Sequence, residues 1–327
     1  MFPKYPLAFL PTPLHFLPNL SQKVPYQVYI KRDDQTGLAS GGNKTRKLEF
    51  LIQEAINLGF DTIITPGAQQ SNHCRQTAAA CNKAGLECHL LLNGVEPENF
   101  QGNLLLDKIL GAHLHFSGEK NKGRCQALEN LKQKLINQGK KPYIVPVGGS
   151  NLTGALGYVS AVAELKQQMK ALNLDFDYIF FASSSGGTQA GLMIGQYLYN
   201  LGGKLMPVMI DKEEEMQVPL NQKIFDIIMA FNHQSQHKID LLIEDIPLIK
   251  GYNSSGYGTV TTHEKEAIKV MAHEEGILLD PVYTGRAFYG MWDMLTRHLL
   301  PENSRVLFWH TGGLPALFAY HKELKNI

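Results

Sequence analysis

The sequence predicts an α/β protein with mostly parallel sheets, built as two lobes that each have three α/β/α layers. Short apolar runs alternate with longer amphipathic stretches, which is the pattern of βαβ units. Several apolar runs lead into glycine- and serine-rich loops that open the next helix. The pattern restarts with larger units after about residue 153, which indicates a second lobe. Because ligands in such sheets bind beyond the carboxyl ends of the strands, we expect a site in the cleft between the lobes.

Hydrophobic periodicity and turn residues place the individual elements. Strands are predicted at 27–32, 62–65, 88–92, 113–116, 143–147, 178–182, 206–210 and 305–310. Helices are predicted at 44–58, through 77–84, at 104–110, 125–138 and 155–172, from 188, at 266–273 and from 314. Thr261 and Glu264 have the spacing of a capping box ahead of the helix at 266–273. The polar segment 212–218 is expected to be a solvated excursion.

Composition excludes several classes of protein. Among 327 residues, 44% are hydrophobic and 19% charged, so a disordered or fibrous chain is excluded. The 31 basic and 30 acidic residues nearly balance, which gives no reason to expect nucleic acid or a membrane surface as a partner. Four prolines within residues 1–17 argue against a signal peptide, and the longest apolar runs are too short to span a membrane. We therefore expect a cytoplasmic enzyme.

The four cysteines are expected to be reduced thiols rather than disulfides or metal ligands. No two of them form a C-x-x-C pair, and no second cluster follows at zinc spacing. We therefore predict no metal site. The cysteines are Cys74, Cys81, Cys88 and Cys125.

The first loop whose residues could take part in a reaction ends in Lys44, at the start of a predicted helix. Gly41 and Gly42 precede it and allow close backbone approach. A lysine beside other cations and the positive end of a helix dipole is favoured as a neutral amine, which is the nucleophilic form. Lys47 lies one turn on and is placed to face an anion. A surface lysine in a turn is the alternative interpretation.

Two further loops join a strand to a helix. The loop Ser183–Thr188 contains hydroxyls, glycines and free helix-start N–H groups, which suit a phosphate, although it has neither a P-loop lysine nor the G-x-G-x-x-G pattern. An ordinary polar turn is the alternative. The loop at 67–75 holds Ser71, Asn72, His73 and Arg75. It suits a carboxylate substrate and a proton carrier, or equally a capped helix start.

Five segments in this order resemble one known family. They are 41–49, 70–72, 187–191, 280–285 and 311–313. They look like the signatures of the 1-aminocyclopropane-1-carboxylate deaminase and D-cysteine desulfhydrase family, which are pyridoxal-phosphate enzymes of fold type II, the tryptophan-synthase-β type. The resemblance covers nearly the whole chain. It implies a pyridoxal 5'-phosphate cofactor, a small amino-acid substrate and a homodimer. It also implies a large cofactor-binding domain at 1–46 and 154–327, and a smaller substrate-side domain at 47–153.

The resemblance assigns roles residue by residue. Lys44 matches the lysine that bonds covalently to the cofactor and later carries a proton. Asn72 matches a cofactor-binding asparagine, and Ser71 matches a serine that lies near the substrate carboxylate and in some mechanisms moves a proton. Tyr283 and, more weakly, Tyr257 match two tyrosines that flank the substrate. The phosphate site corresponds to Lys47, Ser184, Ser185, Gly186, Gly187 and Thr188.

Thr284 and Thr311 separate the two activities of the family. Members that open a cyclopropane ring have Glu and Leu at these positions, and desulfhydrase-like members have Thr at both. A carboxylate beside the pyridine nitrogen keeps it protonated and makes the ring a strong electron sink, whereas a hydroxyl leaves it largely unprotonated. The weaker sink suffices when a thiolate leaves from Cβ. The resemblance therefore predicts conversion of cysteine, the D-isomer by family likeness, to pyruvate, ammonia and hydrogen sulfide.

Three alternatives remain open from the sequence. A true 1-aminocyclopropane-1-carboxylate deaminase, giving 2-oxobutanoate and ammonia, is disfavoured by the two threonines. A phosphorylating enzyme that uses the serine loop for a nucleotide lacks a Walker lysine and an acidic pair for magnesium. A non-catalytic binding module would not need Lys44, Ser71 and Tyr283.

Overall fold

Two sheets organise the part of the chain that the computed structural model describes, residues 3–118 and 124–327. The larger sheet has the strand order β1-β2-β9-β7-β8, and the smaller has the order β5-β4-β3-β6. The strands are β1 (Leu14–Phe16), β2 (Gln27–Arg32), β3 (Thr62–Gly67), β4 (Glu87–Leu92), β5 (His113–Phe116), β6 (Pro142–Ile144), β7 (Tyr178–Ser183), β8 (Lys204–Met209) and β9 (Arg305–His310). Within the described ranges, every pairing between these strands is parallel except β1 with β2. The predicted α/β class with mostly parallel sheets is confirmed.

Helices cover and connect the strands. The long helices are α2 (Asn43–Asn57), α3 (Asn72–Ala84), α4 (Gly102–Ile109), α5 (Arg124–Asn137), α6 (Leu152–Leu172), α7 (Gly187–Tyr199), α8 (Leu220–Gln234), α9 (Thr262–Glu275) and α10 (Thr284–Thr296). The short ones are α1 (Pro18–Ser21) and α11 (His321–Leu324). None of the helices in the described ranges is both long and apolar enough to cross a membrane.

Most sequence-predicted elements are present, with small changes at their ends. The capping box at Thr261 and Glu264 is formed. Two predictions need correction. The strand expected at 143–147 ends at Ile144, because Pro146 removes a ladder donor and the chain turns at 147–149. The closing helix from 314 begins as a 3₁₀ segment to Tyr320 and becomes α-helical only at His321.

The four cysteines are free thiols in the structure, as predicted. The division of the chain into 1–46 with 154–327 and 47–153 remains a proposal. Its boundaries fall inside α2 and α6, which are continuous helices.

A buried ionic network fixes α2 against the larger sheet. The Asp33 carboxylate accepts hydrogen bonds from Arg46 on both oxygens, at 2.8 and 2.9 Å, and from Tyr158 and Trp309 at 2.7 and 2.8 Å. Arg46 also donates to Glu164 of α6 at 2.9 Å. Asp33 and Arg46 are almost fully buried, so every bond in this network forms in a medium of low dielectric constant. The network therefore holds the helix that carries Lys44.

Candidate active site

The predicted loops meet beyond the carboxyl ends of strands from both sheets. In the larger sheet, β7 leads into the loop before α7, and β9 leads into Thr311 and two glycines. In the smaller sheet, β3 leads into the loop before α3. The start of α2 is tied to this edge because Asn43 N donates to Thr311 O at 2.9 Å. This is where ligands bind in open parallel sheets.

Glycine geometry places Lys44 at the first turn of α2. Gly41 and Gly42 have φ of 66° and 130°, and a Cβ on Gly41 would lie 2.0 Å from Asp34 O. No side chain fits there. The Lys44 amine is largely buried, and burial lowers its pKa to about 8, with the Asp280 carboxylate opposing that shift. A substantial fraction of the amine is therefore neutral near physiological pH, which is the form that attacks an aldehyde.

An anion cradle forms around Lys47, where α7 begins. The Lys47 amine donates to Gly148 O at 3.1 Å, and a Cβ on Gly187 would lie 3.0 Å from its Nζ. Ser150 Oγ accepts from Gly187 N at 3.2 Å and donates to Ser185 Oγ at 2.8 Å. An amine, two hydroxyls and a helix N-terminus thus face one small volume, which suits a phosphate group.

The other residues of the predicted phosphate loop play different local parts. Burial raises the pKa of the Asp211 carboxyl, and the Ser184 hydroxyl opposes that shift. Gly186, at φ 89°, turns the chain into α7. Thr188 Oγ1 accepts from Asn43 Nδ2 at 3.1 Å, which joins α7 to the start of α2. The structure therefore brings the side chains of Lys47 and Ser185 together with Gly187, while Thr188 bonds α2 and Ser184 acts on Asp211.

The loop before α3 presents Ser71 and Asn72. Ser71 caps the helix by accepting from Cys74 N at 3.2 Å, which agrees with the capped-start interpretation. The Asn72 Oδ1 accepts from Asn103 Nδ2 at 2.8 Å and from Arg75 at 3.3 Å. A guanidinium only donates, so this contact fixes the amide orientation and leaves the Asn72 NH₂ as a donor.

Arg75 itself serves this loop rather than a substrate carboxylate. Its guanidinium is fully buried and donates to Asn72, to Asn103 Oδ1 at 2.7 Å and to Gly41 O at 2.7 Å. It thereby links the two loops that carry Asn72 and Lys44.

Tyr257 and Tyr283 form a pair in direct contact. Their hydroxyl oxygens are 2.5 Å apart, and the rings pack edge to face at 5.8 Å. Burial raises the pKa of both phenols, with the Asp211 carboxylate adding to the effect, so both stay protonated at neutral pH. One hydroxyl donates to the other, so the pair offers one hydroxyl proton and apolar ring faces to a small ligand.

Thr284 and Thr311 differ in what their hydroxyls can do. Thr284 Oγ1 donates to Asp280 Oδ1 at 2.7 Å and accepts from Asp280 N at 2.8 Å, so its proton is committed. Thr311 Oγ1 makes no hydrogen bond with the described residues, and its proton is free for a ligand. Asp280 also accepts from the backbone N–H groups of Val282, Tyr283 and Thr284 at 3.0, 3.0 and 2.7 Å.

Sequence reasoning gave no role to three residues that shape the site. Asp280 organises the loop before α10, and Asn103 orients Asn72. Ser150 completes the cradle with Lys47. A serine after two glycines, Gly148 and Gly149, was the available signal for Ser150. The roles of Asp280 and Asn103 depend on contacts between distant loops.

A lysine amine of lowered pKa beside an anion cradle defines an enzyme site for an aldehyde cofactor that carries a phosphate. The surrounding groups fit a pyridine ring as well. Asn72 offers a free amide donor, and the buried His73 has an Nδ1 atom with no partner among the described residues.

The comparisons with known proteins agree with this chemistry. The chain belongs to the family of pyridoxal-phosphate dependent enzymes, whose model matches residues 6–312. The predicted cofactor, enzyme class and family resemblance are thereby confirmed.

Three relatives cover almost the full chain. A D-cysteine desulfhydrase of Klebsiella pneumoniae (strain 342) is 41% identical, over 99% of this chain and 98% of its own. A putative 1-aminocyclopropane-1-carboxylate deaminase of Pyrococcus abyssi is 39% identical, over 100% and 96%. The crystal structure of an ACC deaminase homologue is 38% identical, with a TM-score of 0.90 over 99% of this chain and 96% of that chain. The predicted fold is confirmed by this last match.

Proposed function

We propose that the enzyme converts D-cysteine to pyruvate, ammonia and hydrogen sulfide. The observation that carries this proposal is the presence of two uncharged side chains, Thr284 and Thr311, where ring-opening members of the family have Glu and Leu. The 41% identity to a D-cysteine desulfhydrase supports it. Bound pyridoxal phosphate supplies an electron-withdrawing ring that stabilises negative charge at the substrate Cα.

The cofactor is proposed to lie between the two sheets, held by residues from both. Lys44 would hold it covalently, and Lys47, Ser185 and Gly187 would hold its phosphate. The Asn72 amide would donate a hydrogen bond to the ring. The remaining phosphate-loop positions contribute through their backbone N–H groups at the start of α7; these are Ser184, Gly186 and Thr188.

At the ring nitrogen, Thr311 is the proposed donor. The Thr284 hydroxyl already donates its hydrogen bond to Asp280 Oδ1, so it is not available as a donor to the ring nitrogen. The Asp280 carboxylate accepts four hydrogen bonds, which hold it in place beside Thr284. A neutral donor leaves the nitrogen unprotonated. That favours substrates with a good leaving group on Cβ.

The chain's own groups account for substrate binding and proton movement. With the substrate bound, the Lys44 amine would be free and in part uncharged, and it would take the proton from Cα. The Ser71 hydroxyl would face the substrate carboxylate. In the pair Tyr257 and Tyr283, one hydroxyl donates to the other, and the remaining hydroxyl proton would be donated to the leaving sulfur.

A second candidate is deamination of 1-aminocyclopropane-1-carboxylate to 2-oxobutanoate and ammonia. The 39% identity to a putative deaminase of that name favours it. The two candidates share Lys44, Ser71 and the tyrosine pair, so these residues do not distinguish them. The residues at positions 284 and 311 do distinguish the two candidate functions.

A substrate panel tests the proposal directly. Purified holoenzyme is incubated with D-cysteine, L-cysteine, D-serine, β-chloro-D-alanine and 1-aminocyclopropane-1-carboxylate, and the 2-oxo acid and sulfide are quantified. We expect pyruvate and sulfide in equal amounts from D-cysteine. Turnover of the cyclopropane substrate without any sulfide from cysteine would refute the proposal.

Thr311→Val should lower kcat for D-cysteine by about ten- to a hundredfold, the cost of losing one hydrogen bond to a group that carries developing charge. The thermal midpoint should change little, because no described partner is left unpaired. Thr284→Val should instead lower the midpoint, since it removes a buried bond to Asp280. Thr296→Val, on the outer end of α10, is the matched control. An unchanged kcat in Thr311→Val would contradict the assigned donor.

We further propose that the enzyme is a cytoplasmic homodimer. The support is the family likeness and, for the compartment, the free cysteines. Light scattering on the holoenzyme is expected to give twice the chain mass of 36.5 kDa. A mass of one chain at micromolar concentration would reject the dimer.

A further inference from the structure

A cluster of imidazoles and one carboxylate lies at the edge of the smaller sheet. It comprises Glu87 and His89 on β4, and His113 and His115 on β5, and we call it the histidine cluster. His89 and His113 are register partners on adjacent parallel strands, so their side chains point to one face. Their rings stack at 4.6 Å with an interplanar angle of 17°. The proposed catalytic loops follow the carboxyl ends of the strands, whereas this cluster starts from the first residue of each strand.

Three atoms of the cluster converge on one point. Glu87 Oε1 lies 2.9 Å from His89 Nε2 and 3.4 Å from His113 Nε2, and all three atoms are within 4.8 Å of one another. Ligand atoms around tetrahedral Zn²⁺, at about 2.0–2.1 Å from the metal, are about 3.4 Å apart. The observed triangle therefore needs only small side-chain adjustments to hold such an ion. Two imidazoles and a carboxylate are a ligand set suited to zinc and its neighbours.

His115 is placed to orient the buried ligand. Its Nε2 lies 2.9 Å from His89 Nδ1, and the two rings stack at 5.2 Å. When His89 Nδ1 carries the proton and donates it to His115, the Nε2 lone pair of His89 is free to bind a metal. Histidine ligands are commonly oriented by such a second hydrogen bond.

Within the described part of the chain, Lys134 and Lys140 are further charged groups that act on the cluster. Lys140 hydrogen-bonds the second oxygen of Glu87, and Lys134 of α5 acts electrostatically on His115. Lys140 leaves Glu87 Oε1 available for a metal. The positive charge of Lys140 also repels a divalent cation and lowers the affinity of the cluster for it.

We propose that Glu87, His89 and His113 bind one divalent transition-metal ion of the zinc class, with His115 as the positioning residue. The ion would join edge strand β5 to β4. Water would fill the fourth position. This site is independent of the proposed catalytic function, because it shares no residue with it. The prediction of no metal site rested on cysteine spacing, which carries no signal for ligands spread over two strands.

Calorimetric titration tests the site with zinc chloride as the probe. The holoenzyme carries Cys125→Ser to remove the exposed thiol, and is stripped with a chelator before titration. We expect saturation at one equivalent and a rise in the thermal midpoint. His113 is exposed and safe to replace, and His113→Ala should weaken binding at least 100-fold and abolish the midpoint shift. His115→Ala should weaken binding about 10- to 100-fold.

His298→Ala provides the matched control, because His298 forms an exposed i,i+4 pair with Glu302 at 3.9 Å. It should bind zinc as the parent protein does. Lys140→Met should tighten binding by removing the competing cation. Equal affinity in the parent and His113→Ala, or no saturable equivalent in the parent, would overturn the proposal.

Discussion

Lys44→Ala is expected to abolish turnover of D-cysteine, lowering kcat/KM by at least about 10⁴-fold. The substitution removes both the covalent attachment and the amine that carries the Cα proton, and general acid–base catalysis alone contributes about 10²- to 10⁴-fold. Folding should be preserved, because the Lys44 amine makes no hydrogen bond in the described structure. Sulfide release under saturating pyridoxal phosphate measures the effect.

Borohydride reduction followed by peptide mass mapping identifies the attachment point independently of activity. In the parent enzyme the adduct should lie on residue 44. Lys269→Ala, an exposed lysine of α9, should retain both the adduct and full activity. Substantial sulfide release by Lys44→Ala, or an adduct on another lysine, would be incompatible with the proposed site.

Asp33→Asn is expected to destabilise the fold by about 3–5 kcal/mol, the usual cost of removing one partner of a buried ion pair. Arg46 would remain buried with only Glu164 as a counter-charge, and the new amide cannot accept from all of the present donors. Urea unfolding followed by circular dichroism measures the change. Glu129→Gln, which breaks an exposed pair with Lys132, should cost under about 1 kcal/mol and serves as the control.

The same carboxylate predicts how stability depends on acidity. The Arg46 guanidinium lowers the pKa of Asp33 to about 2, against an ordinary value of 3.8, despite the opposing effect of burial. A depressed pKa means that the unfolded chain takes up this proton first. The stabilisation is therefore complete above about pH 4 and is lost as the pH falls toward 2, by roughly 2 kcal/mol. Asp33→Asn should lack this component, and an identical acid profile in both proteins would contradict it.

Local patterns were sufficient to predict much of the fold and which loops carry the candidate site. Alternating apolar runs located the parallel strands. Two glycines beside a helix start made Lys44 a candidate, and the family resemblance assigned its role. The same holds for Ser71, whose capping role needs only the N–H three residues on.

What the sequence did not predict depends mainly on contacts between distant segments. Asn103 orients Asn72 across 31 residues, and Ser150 reaches Ser185 across 35. The difference between the hydroxyls of Thr284 and Thr311 depends on the position of Asp280, which accepts a hydrogen bond from Thr284. Helices α8 and α10 were also not predicted, but for a different reason. Their buried residues recur at helical spacing, so the sequence itself carries an amphipathic signal; in α8 these residues are Ile224, Ile227, Ile228 and Phe231.

The mutual approach of Gly42 and Gly312 restricts how this enzyme can evolve. A Cβ on Gly312 would lie 2.7 Å from the Cα of Gly42, and both residues have positive φ. A methyl group on Gly312 would force the two backbones apart and shift the first turn of α2. No second mutation nearby makes room for it, because the obstruction is main chain rather than a replaceable side chain. Gly312 should therefore stay invariant even in lineages that change substrate, whereas a methyl group on Gly42 would first meet the Gln76 side chain, at 2.6 Å.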